Sequence, residues 1–174
     1  MKRPDRFIEI ARSMPDVRFR MIGGPTGRDA ASTGYFESIR RSAQEVANLE
    51  FLGFQPLSEV ERHFDEAKIF VNTSDHEGFP NTFLQAWGRG VPTVSFFDAG
   101  ARPDGSRPFK LVGDVGDACH AIGSLLQEAA AWNALSTDCL DQFRCRHSTD
   151  SVVAAFHRLF AAMGWRATAA LSQS

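Results

Sequence analysis

Residues 69–97, IFVNTSDHEGFPNTFLQAWGRGVPTVSFF, decide the fold of this 174-residue chain. The stretch contains an apolar strand at Ile69–Val71, a polar loop, a helix over Asn81–Gly88 and a second apolar strand at Pro92–Phe97. Parallel neighbouring strands need a crossover connection, which is usually a helix. A short, wholly apolar strand is typical of a sheet that is covered on both faces. We therefore predict an α/β fold with a parallel sheet.

The same alternation extends to both sides of this stretch. The sequence predicts helices over 4–14, 34–47 and 58–67, strands over 17–22 and 49–52, and three consecutive helices over 114–128, 130–145 and 148–163. Ser58 and Glu61 have the spacing of a capping box at the start of the third helix. We predict one Rossmann-like domain over residues 1–166, with helices on both faces of its sheet, and a disordered tail over residues 167–174.

Composition excludes several classes of protein. The formal net charge is −2 and charged residues make up 23% of the chain, so the sequence lacks the basic excess that nucleic-acid binding requires. No apolar run reaches the roughly 18 residues of a membrane span, and no signal peptide is evident. Three cysteines without a Cys-x-x-Cys pair favour reduced thiols, each acting as a small buried hydrophobe. We expect a cytoplasmic protein.

The most informative candidate site follows the Ile69–Val71 strand, because open parallel sheets bind ligands at the carboxyl ends of their strands. Residues 73–77 place five polar side chains at this strand end. The free N–H groups of a helix that begins near Asn81 can hold a phosphate. Glu77 suits a sugar hydroxyl, and Gln85 lies one turn beyond Asn81 on the same face. In the alternative interpretation, Glu77 and Asn81 only cap the helix and Gln85 is solvated.

Two other strand ends leave their interpretation open. Glycines in the segment Gly23–Gly27 would let the backbone approach a phosphate, or they form a plain turn. An aromatic side chain in Phe51–Phe54 could stack on a nucleobase or pack in the core. His76 lies between two acidic residues, but the sequence offers no third, distant ligand, so we predict no metal site.

Three segments resemble a known family: KRPDRFIEIARSMPDVRFRMIGG over 2–24, NLEFLGF over 48–54 and IFVNTSDHEGFPNTFLQAWGRGVPTVS over 69–95. They are similar to the C-terminal, nucleotide-sugar-binding half of the family 4 retaining glycosyltransferases, which have the GT-B fold. The resemblance implies transfer of a sugar from a nucleotide-diphosphate sugar to an acceptor, such as a polysaccharide or glycolipid, with retention. It implies no metal and no cofactor besides that donor substrate.

The resemblance also assigns roles to residues. It makes Glu77 and Lys2 catalytic, with Glu77 beside the donor sugar and Lys2 neutralising the diphosphate. Donor-binding residues implied in the same way are Gly23, Gly24, Phe51, Leu52, Gly53, Phe54, Gly78, Phe79, Pro80, Asn81, Thr82 and Gln85. The family has a second glutamate, which binds the ribose, where this chain has Gln85. A glutamine accepts hydrogen bonds at one oxygen only, so ribose binding is expected to be weaker.

Two departures from the family shape the expected activity. The family domain opens with an apolar strand, ending in an arginine, that would lie between the 17–22 and 69–71 strands. This strand and the N-terminal acceptor-binding half are expected to be missing here, and any contact with a membrane would come through that half. We therefore expect no sugar transfer by the chain alone.

The alternatives to an enzyme are a non-catalytic nucleotide-sugar-binding module or a truncated gene product. A flavodoxin-like or receiver domain would need a cluster of acidic residues at the end of the first strand, and this chain lacks one.

Overall fold

The computed structural model describes residues 2–25, 27 and 29–165, and it confirms the α/β prediction. Strands and helices alternate up to the fourth strand, and helices flank the parallel sheets. The strands are β1 Phe19–Ile22, β2 Leu49–Gly53, β3 Phe70–Asn72, β4 Thr93–Ser95 and β5 Lys110–Leu111. The helices are α1 Pro4–Ser13, α2 Ala30–Gln44, α3 Leu57–Glu66, α4 Asn81–Trp87, α5 Val115–Gln127, α6 Ala129–Arg146 and α7 Thr149–Ala162. The tail predicted over 167–174 lies outside the described residues.

The sheet is divided into two pieces. Strand β1 pairs in parallel with β2, and a separate three-stranded piece has the parallel order β3–β4–β5. Within the described part of the chain, no ladder joins β1 to β3. This division falls where the family resemblance implies a further strand that is expected to be missing here, and that expectation stays a prediction.

One local prediction is wrong, and one strand was not predicted. Helix α3 begins at Leu57 with Pro56 at its N-cap and has no side-chain cap, so Ser58 and Glu61 form no capping box. Ser58 already lies inside the first turn, because the carbonyl of Pro56 accepts from the N–H groups of Glu59 and Val60. Strand β5 was not predicted, since two exposed residues carry no periodic signal and depend on pairing with β4.

An aromatic cluster fixes α4 against the three-stranded piece. The Phe83 side chain is fully buried and Trp87 is 1% exposed, and their ring centroids lie 5.2 Å apart. The indole N–H of Trp87 donates to Thr93 Oγ1 in β4 at 3.1 Å, which satisfies the one polar group of this buried ring. Burying each large apolar side chain contributes about 1.5–3 kcal/mol. Helix α4 is therefore held firmly against the three-stranded piece of the sheet.

The three cysteines differ in their surroundings. Cys139 is buried, and burial raises the pKa of its thiol to about 12, so the prediction of a small buried hydrophobe is confirmed there. Cys119 is only partly buried. Cys145 is exposed on the last turn of α6, so the prediction is wrong for this residue.

Among the described residues, the search for a helix both long and apolar enough to cross a bilayer returns none.

Candidate functional site

The loop that follows β3 folds back on itself through side-chain contacts. Buried Asn72 accepts a hydrogen bond from the backbone N–H of Ser74 at 2.8 Å, which turns the chain as soon as the strand ends. The Ser74 side chain is almost fully buried, and its hydroxyl donates to Glu77 Oε1 at 2.6 Å. These two bonds explain why the sequence needs small polar residues here. They orient the Glu77 carboxylate towards the carboxyl edge of the sheet.

Lys2 meets Glu77 at this edge, although the two residues are 75 positions apart in the chain. The ammonium of Lys2 donates to Glu77 Oε1 in an ion pair. The Glu77 side chain is 15% exposed, whereas the Lys2 side chain is 67% exposed. Burial pushes the pKa of Glu77 upward, but hydrogen bonds from Lys2 and Ser74 outweigh burial, so this pKa lies below the usual value for glutamate. Glu77 therefore stays ionised near neutral pH.

A second ion pair ties the start of α1 to the same loop. The Arg6 guanidinium lies 2.7 Å from Asp75 Oδ1 and donates to the carbonyl of Thr73 at 3.4 Å. It also stacks over the Phe96 ring, 4.9 Å from the centroid. The sequence pattern gave no role to Arg6, and it marked Asp75 only as one member of the polar run over 73–77. A basic residue four positions after Lys2, on the opening turns of a predicted helix, was the available signal.

Helix α4 begins at Asn81, as predicted, but it is not capped by a side chain. Pro80 occupies the N-cap position and makes no side-chain hydrogen bond to the helix. The interpretation of Glu77 and Asn81 as capping residues is therefore wrong, because Glu77 is engaged by Lys2 and Ser74 instead. The N–H groups of the first turn are left for a ligand or water, apart from that of Phe83, which donates to the Pro80 carbonyl.

Length limits what this helix start can do. Helix α4 has seven residues, so its dipole is short and the local N–H groups matter more than the whole helix. Gly78 and Phe79 are exposed, Thr82 is partly buried, and Gln85 is partly buried one turn beyond Asn81. These positions agree with a surface that faces a ligand, and the roles assigned to them stay predictions.

The remaining predicted residues gather at the ends of β1 and β2. The N–H of Gly23 donates to the carbonyl of Gly53 at 3.0 Å, which joins the two strand ends. Gly53 has φ of +66°, a conformation that favours glycine, and a side chain added at Gly24 would contact the Phe54 Cβ at 3.4 Å. The glycines therefore allow both a tight turn and a close approach to Phe54.

The two phenylalanines of this segment have different surroundings. Phe51 is partly buried and its ring lies 5.7 Å from that of Phe36, which favours the core interpretation for Phe51. Phe54 is 80% exposed, so the core interpretation is wrong for Phe54 and its ring is free to stack on a ligand. Leu52 is partly buried, and its carbonyl accepts from the Gln55 side chain at 2.7 Å.

The structure thus forms two groups of predicted residues. One group surrounds the Lys2–Glu77 pair at the end of β3, and the other lies at the ends of β1 and β2. No hydrogen bond or ion pair between described residues joins the groups. His76 is exposed, and within residues 2–25, 27 and 29–165 there is no cluster of three histidine, cysteine, aspartate or glutamate side chains that could hold a metal ion.

The matching family model and the related sequences are all described as glycosyltransferases. A family model described as glycosyl transferases group 1 matches residues 5–128. A D-inositol 3-phosphate glycosyltransferase of Mycolicibacterium smegmatis is 28% identical over 166 residues, which cover 91% of this chain and 38% of the relative. The protein of the same name from Mycobacterium sp. (strain KMS) is 30% identical over 135 residues, covering 75% of this chain and 31% of the relative. The chain thus spans well under half the length of these relatives.

Solved structures share the fold at low sequence identity. Sucrose-phosphate synthase from Thermosynechococcus elongatus superposes with a TM-score of 0.75 at 16% identity, covering 94% of this chain and 42% of that one. Anabaena HepE in complex with UDP-glucose gives a TM-score of 0.73 at 13% identity, with coverages of 92% and 45%. The C-terminal domain of LpcC, a glycosyl transferase group 1 family protein from Francisella tularensis, gives 0.67 at 21% identity, with coverages of 85% and 80%.

Proposed function

The chain belongs to the group 1 glycosyl transferases, and from that premise we propose that it is the donor-binding half of a retaining, family 4 enzyme. The sugar would move from a nucleotide-diphosphate donor to a polysaccharide or glycolipid acceptor, without a metal ion. Two features support the proposal of a nucleotide-sugar donor. The relatives are named glycosyltransferases, and HepE, which shares the fold, was solved with UDP-glucose.

The meeting of Lys2 and Glu77 is the observation that carries the proposal. Two side chains so distant in sequence converge on the carboxyl edge of a parallel sheet, where such folds bind ligands. The ammonium of Lys2 would stabilise the negative charge that grows on the leaving diphosphate. The unpaired N–H groups at the start of α4 would hold the same phosphates. Glu77 would accept a hydrogen bond from a hydroxyl of the donor sugar.

Donor binding would require Lys2 to exchange one anion for another. In this structure its ammonium is paired with Glu77, yet the Lys2 side chain remains 67% exposed. The released ammonium of Lys2 is readily hydrated because its side chain is exposed, so the cost of the exchange falls mainly on the largely buried carboxylate of Glu77. Lys2 could then reach a diphosphate while Ser74 continues to donate to the Glu77 carboxylate. The nucleobase would stack on the exposed ring of Phe54.

A thermal-shift panel of UDP, GDP, ADP and their sugars tests the proposal. A ligand at 100 times its dissociation constant stabilises the folded state by about 2.7 kcal/mol, which for a chain of this size raises Tm by about 5–10 °C. We expect one nucleotide to stand out. Lys2→Gln should remove most of that shift, and Lys110→Gln should retain it, because Lys110 is an exposed residue of β5. Absence of a shift with every nucleotide diphosphate would contradict donor binding.

A non-catalytic nucleotide-sugar-binding module is the second candidate. Gln85 stands where the family has its ribose-binding glutamate, and the sheet is divided between β1 and β3, which favours dependence on another segment or chain. Adding a separately expressed acceptor-binding half separates the two candidates. Sugar transfer by the mixture, with none by the 174-residue chain alone, supports the enzyme. Donor binding without transfer in the mixture supports the module, and steady turnover by the chain alone would refute its predicted inactivity.

A further inference from the structure

A small cavity lies beside the donor loop, between α4, the segment that follows β4 and the last turn of α6. Its volume is about 160 Å³, and its walls include Phe79, Trp87, Arg102, Gln142, Arg146 and His147. Phe79 belongs to the turn that leads from Glu77 into α4, so the cavity adjoins the part of the site assigned to the donor sugar. No residue of the cavity other than Phe79 has a role in the proposed donor binding.

Arg102 provides a fixed positive group in the cavity wall. Its guanidinium donates to Asp138 Oδ1 at 2.7 Å, to the Asp138 carbonyl at 3.1 Å and to Gln142 Oε1 at 3.0 Å. Its side chain is 20% exposed, so it is largely held in place before any ligand arrives. The carboxylate of Asp138 neutralises this charge, so Arg102 gives the cavity wall a fixed guanidinium group but little net positive charge.

Arg146 supplies the uncompensated charge. It lies exposed on the last turn of α6 and forms no ion pair with another residue in the described part of the chain. His147 follows it, and the imidazole stacks on the Phe79 ring with centroids 4.9 Å apart. Partial burial lowers the pKa of His147, and the nearby charge of Arg146 lowers it further. A neutral imidazole offers one donor and one acceptor nitrogen.

This combination of groups selects a class of ligand. The Arg146 guanidinium can bind a carboxylate or phosphate through paired hydrogen bonds, and the side chains of Gln142 and His147 can bond to hydroxyls. The Phe79 ring, which is 44% exposed, offers an apolar surface that suits the C–H face of a sugar ring. Sites for whole drug-sized ligands have volumes of about 300–1,000 Å³, so this cavity has room for about one sugar unit.

We propose that this cavity binds the carboxylate or phosphate substituent of a saccharide ligand, with Arg146 as its principal anion-binding residue. The saccharide part of the proposal rests on the proposed function, because Phe79 links the cavity to the donor loop. The anionic part rests on the charge of Arg146, which forms no ion pair with a described residue and lines the cavity.

NMR titration of the ¹⁵N-labelled 174-residue chain tests the proposal with four probes: glucuronate, glucose 6-phosphate, glucose and inorganic phosphate. We expect the two anionic sugars to shift the Trp87 indole and Phe79 amide signals and to bind at least tenfold more tightly than glucose. Arg146→Gln should weaken their binding about tenfold. Arg144→Gln is the matched control, since Arg144 is exposed on the same turn of α6 but lies outside the cavity, and it should leave affinity within twofold.

Three outcomes would overturn the proposal: equal binding of glucose and glucuronate, equal effects of the two arginine substitutions, or inorganic phosphate binding as tightly as glucose 6-phosphate. The thermal-shift panel keeps the two proposals separable. A nucleotide diphosphate that stabilises the chain while anionic sugars leave Trp87 unperturbed refutes the cavity assignment only. Anionic sugars that bind through Arg146 in a chain that no nucleotide stabilises support the cavity and refute donor binding.

Discussion

The strand ends of the two sheet pieces are built by different means. At the end of β3, charged and hydroxyl side chains hold the loop: Glu77 is bonded by Lys2 and Ser74, and Asp75 is bonded by Arg6. At the ends of β1 and β2 the backbone itself holds the chain. The N–H of Gly23 donates a hydrogen bond to the carbonyl of Gly53, and Gly53 has a left-handed conformation. One half of the candidate site is therefore sensitive to charge, and the other to the presence of any side chain.

The packing beneath the two halves of the site differs as well. Below the β3 loop, Phe83 and Trp87 are almost completely buried in an aromatic cluster that includes Phe109. Beside β2, Phe51 is only partly buried, and Phe54 is 80% exposed. The difference teaches that the side proposed to bind phosphate is supported by a tightly packed core, whereas the side proposed to bind the nucleobase has little packing of its own.

The largest expected effect is on the free energy of unfolding, and measuring it tests this difference in packing. Phe83→Ala should lower the free energy of unfolding by about 3–5 kcal/mol, because a fully buried ring is lost and a cavity remains. Phe51→Ala is the matched control in the other half and should cost less than half as much, since its ring already contacts solvent. Urea denaturation followed by circular dichroism measures both. Equal losses would contradict the contrast between the two halves.

The next prediction tests whether backbone groups hold phosphates at the start of α4. Asn81→Pro removes one N–H but should fold, because proline is favoured at the first helical position and Pro80 already has the extended ψ of 125° that a following proline requires. A hydrogen bond to a charged group is worth about 1.5–3 kcal/mol, so affinity for the nucleoside diphosphate should fall at least tenfold. Calorimetry should show a smaller loss for the bare nucleoside.

Asn81→Ala is the control for the asparagine side chain, since it keeps the backbone N–H. It should retain most of the affinity for the diphosphate. Losses of equal size for diphosphate and nucleoside, or for the alanine and proline variants, would count against phosphate binding by this peptide group.

A glycine substitution in each half probes the role of the backbone. Gly53→Ala should cost about 1–2 kcal/mol of stability, because its φ of +66° is unfavourable for a residue with a side chain. Gly78→Ala should leave the free energy of unfolding almost unchanged, because Gly78 does not have a positive φ and an added Cβ would meet no atom within 4 Å. The free energies of unfolding of both variants check this expectation, and a neutral Gly53→Ala would remove the proposed contrast.

The sequence predicted the parts of this comparison that depend on local patterns. Short apolar strands, the polar run over 73–77 and the helix start at Asn81 all follow from residue type and spacing. The pairing of Arg6 with Asp75 could not be predicted, because periodicity along the chain does not say which distant charges meet. Phe51 and Phe54 show the same limit within one segment. They are the same residue type, and only the end of β2 at Gly53 decides that Phe51 packs while Phe54 faces solvent.

The smallest expected effect concerns the ribose. Gln85 lies one helical turn beyond Asn81, and Gln85→Glu would replace an amide, which accepts at one oxygen, with a carboxylate that accepts at two. Affinity for the nucleoside diphosphate should rise about fivefold, or about 1 kcal/mol. Gln44→Glu adds the same charge on α2 and should leave affinity unchanged. Calorimetry that finds unchanged or weaker binding for Gln85→Glu would show that position 85 does not face the ribose.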